Sequence, residues 1–150
     1  MRTCLGLRTT SLTILALIFL LSCVSMDERL RLAAFEGDVE TTGKLIQKGA
    51  EVDGKNEFGN TALMIAAMEG HTETVKILVD GGADVNARNR SDNTTLMIAV
   101  QSGHTDTVKV LIGAGADVNA KTPGGVTALV IAEAEGRTEI IELLRKAEAK

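Results

Sequence analysis

Two histidines and two cysteines are the most chemically versatile side chains in these 150 residues. His71 and His104 could bind a metal or move a proton, and a cysteine could attack an electrophile. Their positions argue otherwise. The histidines each follow a glycine and stand 33 residues apart, a separation that recurs throughout the chain. They therefore hold one position in two adjacent structural units. Packed helix layers lie roughly 8–10 Å apart, whereas zinc–nitrogen bonds are about 2.0–2.1 Å, so the pair is badly placed to share an ion. There is no strand-framed Gly-x-Ser-x-Gly and no phosphate loop, and the carboxylates show no convergent acid–base pair. Catalysis, a cofactor, a bound metal and a small-molecule substrate are not expected.

The elements that carry these residues announce themselves by period. Gly37, Gly70, Gly103 and Gly136 are 33 apart, as are Leu45, Leu78, Leu111 and Leu144. Gly49, Gly82 and Gly115 keep the same step, and so do Thr61, Thr94 and Thr127. Such a period means stacked supersecondary units rather than a pocketed globule. The threonines suit helix N-caps, followed by apolar positions such as Leu63, Ile65 and Ala66. Gly70 and its equivalents suit the left-handed end of that helix, and Gly82 and Gly115 are expected to end a second helix in the same way. Asp84, Asn86, Asp117 and Asn119 are turn formers. Each helix should run about eight to ten residues, too short to persist alone, so each must lie on its neighbours.

Composition agrees. Hydrophobic residues make up 45% but aromatics only 2%, with no Trp or Tyr, which suits thin helices in close contact. The net charge of −4 with so few aromatics argues against nucleic-acid binding.

The segment Gly59-Asn60-Thr61-Ala62-Leu63, the Ala66-Ala67 pair, the Gly70-His71 turn and the ending Gly82-Ala83-Asp84-Val85-Asn86 resemble the ankyrin repeat. The resemblance implies an all-α solenoid of four helix–turn–helix units with short loop or β-turn tips, at 27–55, 56–88, 89–121 and 122–150. Many ankyrin repeats carry His where this chain has Met64 and Met97. The two methionines read as core filling, and a polar tie between units would be lost with the histidine. The first unit places Asp27, Glu28, Arg29 and Arg31 where Thr-Ala-Leu would stand. The last puts Glu133 at the position of Ala67 and Val100. Both read as caps with wettable outer faces.

The N-terminus is different material. Arg2 and Arg8 precede the apolar run Leu12–Leu21, and no charge follows until Asp27. This is the layout of a secretory signal. Ten residues of helix span about 15 Å, half of a hydrocarbon core of roughly 30 Å. Extension through residues 9–26 gives 18 residues, which leaves an uncleaved anchor open. Leu20-Leu21-Ser22-Cys23 resembles the lipobox of bacterial lipoprotein precursors. That resemblance implies removal of residues 1–22, a lipid on Cys23, a linker over 23–26 and membrane retention through the acyl chains. An ordinary signal peptide with a cysteine near its cleavage site is the plainer alternative. Cys4 falls in the removed segment, so the processed chain could form no internal disulfide.

The ankyrin resemblance also implies where a partner protein would touch: the tips and the exposed end of each first helix. Carried over by register, these positions are Phe35, Glu36, Lys55, Glu57, Phe58, Asn60, Met68, Glu69, Arg88, Arg90, Ser91, Asn93, Gln101, Ser102 and Lys121, with Pro123, Gly124, Val126, Ala134 and Glu135 closing the surface. Lys55, Arg88 and Lys121 share one position and form a basic row with Arg90 beside it. Glu36, Glu69 and Glu135 share another. An acidic patch on a partner could meet the basic row, or the row could be plain solvated charge. Phe35 and Phe58 are the only aromatics beyond the leader. They could face outward as binding anchors or fold inward to seal the first junction between units.

The function expected is noncatalytic protein binding at a bacterial envelope, holding, protecting or inhibiting a partner. Val24 after Cys23 is not the Asp retention signal of many inner-membrane lipoproteins, which tilts placement toward the outer membrane and periplasm. A secreted or translocated effector acting on host proteins, and an accessory subunit of an envelope enzyme, are the alternatives.

Overall fold

The computed structural model describes residues 24–148. The leader, Cys23 and the last two residues lie outside it, and with them every expectation about cleavage, lipid and anchor. Eight helices fall into four pairs: α1 Met26–Glu36 with α2 Val39–Gln47, α3 Ala62–Glu69 with α4 Thr72–Asp80, α5 Thr95–Ser102 with α6 Thr105–Gly113, and α7 Ala128–Ala134 with α8 Thr138–Glu148. Among the described residues there is no strand. A single isolated antiparallel bridge joins Arg88 to Thr94 at a tip. None of the described helices is long and apolar enough to cross a membrane.

Local chemistry sets the helix ends. Thr61, Thr94 and Thr127 have extended backbones, and their hydroxyls accept from the amides of Met64, Met97 and Val130 at 3.3, 3.3 and 3.2 Å. Ser25 and Asp38 cap α1 and α2 in the same manner. The hydrogen bonds from the Thr41 side chain and amide hold the Asp38 carboxyl below its ordinary value. Gly37, Gly70 and Gly103 close α1, α3 and α5 in the left-handed conformation. Gly136, expected to end α7, stands one residue beyond its cap, Glu135, which stays helical. The second helices also reach their expected left-handed glycines one residue past the cap. Lys48, Gly81 and Ala114 remain near helical geometry at the cap, and the left-handed turn falls one residue later, at Gly49, Gly82 and Gly115. The helices run 7 to 11 residues, slightly wider than expected, with the longest at the two ends.

The first helices stack in one layer, α1 on α3 on α5 on α7, and the second helices stack beside them, α2 on α4 on α6 on α8. Between the layers runs one continuous core of Leu30, Leu63, Leu78, Leu96, Val108, Leu111, Ile140 and Leu144, spaced by Ala34, Ala66, Ala67, Ala99 and Ala132. Small residues let the backbones approach, and no helix has a stable alternative away from its neighbours. Met64 is fully buried against Ala87 and Ile98, and Met97 lies in the main core.

The ends of the stack are less polar than their composition suggests. Val130 occupies the position of Met64 and Met97 yet is 47% exposed, because no described helix lies beyond it. Leu32 is likewise 55% exposed in the first pair. Nor do all the charges of α1 simply wet an outer face. The Asp27 carboxylate accepts from the Glu51 amide at 2.8 Å, and the Arg31 guanidinium donates to the Gly54 carbonyl at 3.3 Å. Both close α1 onto the end of its own unit.

Candidate partner-binding surface

The tips are built by side chains that imitate backbone. Asn56 Oδ1 accepts from the amides of Phe58 and Asn60 at 3.0 and 2.9 Å. One unit later, Asn89 Oδ1 accepts from Ser91 and Asn93 at 3.0 and 3.1 Å, and Thr122 Oγ1 takes Val126 at 3.2 Å. These are Asx-type and ST-type turns, repeated in register. They hold Glu57, Phe58, Arg90 and Ser91 outward, whereas Asn60 and Asn93 are half-buried. Asn60 is part of the framework, since its Oδ1 accepts from Asn89 Nδ2 at 2.9 Å across the junction between units.

The basic row is tied down. Lys55 Nζ donates to the Arg88 carbonyl at 2.9 Å, and Arg88 Nη1 donates to the carbonyls of Asp92 and Lys121 at 2.9 and 3.0 Å. Each cation reaches to the same position one unit on. Lys55 and Arg88 are cross-unit hydrogen-bond donors whose heads point along the row rather than simply into solvent. Spacing showed that they line up, but only the stack shows that one side chain reaches the next backbone.

Units are joined elsewhere by polar contacts that the sequence reading missed. Asp53 Oδ1 accepts from the Asp84 amide at 2.9 Å, and Asn86 Oδ1 accepts from the Asp117 amide at 2.8 Å. Asp53 and Asn86 are 33 apart, as are Asn56 and Asn89, so the signal was present. The histidines serve the same purpose: His71 Nε2 lies 3.0 Å from the Phe35 carbonyl, and His104 Nε2 lies 3.0 Å from that of Met68. Polar ties between units are thus made at positions other than those of Met64 and Met97. Among the described residues no group of three His, Cys, Asp or Glu side chains converges on a point where an ion could sit.

The first-helix layer presents the apolar surface. Phe35 is 54% exposed, Phe58 at the tip is 63% exposed, and Met68 is also outside. Both phenylalanines thus face outward. A groove runs between α1 and α3, lined by Leu32, Phe35, Ile65 and Met68 together with the charged Glu28, Arg31 and Glu69. Along the stack the position of Phe35 and Met68 becomes Gln101 and then Ala134, both exposed, while the position of Leu32 and Ile65 stays apolar but is buried at Ile98 and half-buried at Ile131. The apolar stretch belongs to the first two units. Arg90 and Lys121 lie exposed farther along the tips.

Among the described residues, eight paired helices in two layers, with the first three first-helices closed by left-handed glycines and Asx- or ST-built tips recurring every 33 residues, define a helical-repeat solenoid. The chain belongs to the ankyrin-repeat family: the family pattern for ankyrin repeats, three copies, matches residues 30–122. That span takes in the first three helix pairs, and the fourth pair follows it in the same register. No match was found among curated proteins. Membership makes the chain a protein–protein interaction module, a class that is generally noncatalytic.

Proposed function

We propose that this chain binds a partner protein through the outer face of its first helices and adjoining tips, while tethered at a bacterial envelope by a lipid on Cys23. The observation that carries the binding reading is the outward placement of Phe35, Phe58 and Met68 on a stack whose other large apolar side chains are mostly interior. Aromatic side chains held on a rigid support lose little freedom on binding, and such anchors are worth ~2 kcal/mol or more each. The tether rests on the basic start, the short apolar run and the lipobox resemblance of Leu20-Leu21-Ser22-Cys23. Holding, protecting or inhibiting an envelope protein is the role this combination supports. Val24 in place of an Asp retention signal favours outer-membrane and periplasmic placement over the inner membrane.

Two experiments test the parts separately. Mass spectrometry of the N-terminus should find residues 1–22 gone and a lipid on Cys23; an unmodified Cys23 would end the tether. Capture from detergent-solubilised envelopes should recover a partner with the wild-type chain and lose it with Phe35→Ala/Phe58→Ala. Equal recovery with an unchanged melting temperature would place binding elsewhere.

A further inference from the structure

The groove between α1 and α3 carries a charge pattern that specifies its occupant. On the second-helix layer the four first-turn acids are neutralised from within. Glu40 pairs with Lys44, Glu73 with Lys76 at 2.6 Å, and Asp106 and Glu139 share Lys109 at 3.3 and 3.0 Å. Glu28 and Glu69, which border the groove, and Glu36 on the same wall form no ion pair among the described residues. Of the neighbouring cations, Arg31 donates to the Gly54 carbonyl, Lys55 to the Arg88 carbonyl, and Arg88 to the carbonyls of Asp92 and Lys121, while Arg29 and Arg90 are exposed and form no ion pair with these carboxylates. The groove therefore has an apolar floor and two unpaired carboxylates among its lining against one cation, Arg31, whose guanidinium is held on a backbone carbonyl.

We infer that the occupant is an amphipathic segment of a partner protein that sets apolar side chains on Leu32, Phe35, Ile65 and Met68 and brings lysine or arginine to Glu28 and Glu69. An acidic segment would meet like charge beside an apolar surface, where mismatched charge is penalised most and screened least. The partner thus carries basic residues around its anchors, the opposite of the acidic patch that the basic row suggests. The spacing supports the shape. Leu32 and Phe35 are one turn apart on α1, and Ile65 and Met68 repeat that step on α3, so the floor is a two-by-two array suited to successive turns of one short helix. This inference rests on the binding role proposed above and adds the chemistry of what is bound.

A display library of helical peptides, selected at low salt on the full chain in mild detergent, reads that chemistry directly. Enriched peptides should combine Leu, Ile, Phe or Met anchors with Lys or Arg. Their retention should fall tenfold or more with Glu28→Gln/Glu69→Gln and with Met68→Asp, at an unchanged melting temperature, and should fall as salt rises. Enrichment of Asp- or Glu-rich peptides that depend on Arg90 and Lys121 would overturn the inference while leaving the binding role standing. So would basic peptides indifferent to both groove variants. If no peptide is enriched, the inference falls, while the binding role is decided separately by capture with Phe35→Ala/Phe58→Ala.

Discussion

His104 rests on Gly70 so closely that a Cβ added to the glycine would stand 2.5 Å from its Nδ1. The other ring nitrogen, Nε2, meets the Met68 carbonyl at 3.0 Å. His71 repeats the arrangement on Gly37 and Phe35, and Arg137 takes the same place against Gly103. The glycine ends its helix and also leaves the space into which the next unit's side chain fits. One residue type thus serves the local fold and the stacking of units.

Gly70→Ala should therefore cost more than its backbone angle alone. The left-handed conformation, φ 76°, penalises alanine by about 1–2 kcal/mol, and displacing His104 forfeits a hydrogen bond worth about 1 kcal/mol. Gly136 has φ 66° and open space around it, so Gly136→Ala should show only the backbone cost. Denaturant unfolding of the two variants separates the effects. Equal losses would show that the ring moves aside freely.

The tied basic row predicts a stability effect where free charge would give none. Lys55→Met and Arg88→Met should each lower stability by about 0.5–1.5 kcal/mol, because each removes a donor from a neighbouring unit's carbonyl. Lys121→Met removes no such donor among the described residues and should stay within about 0.5 kcal/mol of wild type. Thermal melts of the three variants check this. Three indistinguishable curves would return Lys55 and Arg88 to the status of solvated charge.

Thr42 is fully buried with a hydroxyl that finds no partner. Val75, Val108 and Ile141 fill the same position in the other units. Thr42→Val keeps the shape and removes an unsatisfied donor, so it should stabilise the fold by about 1 kcal/mol. A lower denaturation midpoint would mean that the hydroxyl is satisfied in solution.

Asp38 gives the fold an acid-sensitive cap. Its pKa is depressed in the folded state by the hydrogen bonds from Thr41. The sign follows: its contribution is fully present above the ordinary aspartate value of about 3.9 and disappears as pH falls through the lower folded-state value. Melting curves for wild type and Asp38→Asn should differ at neutral pH and converge in acid, once the Asp38 carboxylate is protonated in the folded state as well. A constant gap across that range would remove the charge from the explanation.

The fold was legible because its determinants are local and repeated. Thr61, Thr94 and Thr127 cap their helices through amides three residues on, and Gly37, Gly70 and Gly103 turn the chain where they stand. Neither needs knowledge of a neighbour. The surface was less legible for the opposite reason. Which carbonyl Lys55 reaches, and whether Phe58 points out or in, depends on the distance between stacked units. Val130 is chemically suited to the interior and becomes surface only because nothing described covers it. Arg31 and Asp27 read as wettable charge until the end of the first unit is seen folding back onto them.

A two-face substitution scan tests the central claim most directly. Leu32→Ser, Phe35→Ser and Met68→Ser on the first-helix wall are compared with Lys76→Ser, Asp80→Ser and Lys109→Ser on the opposite layer, each scored for partner capture from solubilised envelopes at matched melting temperature. The wall variants should lose capture and the opposite-layer variants should keep it. Loss confined to the second-helix layer, or spread equally over both, would contradict a docking face on the first helices.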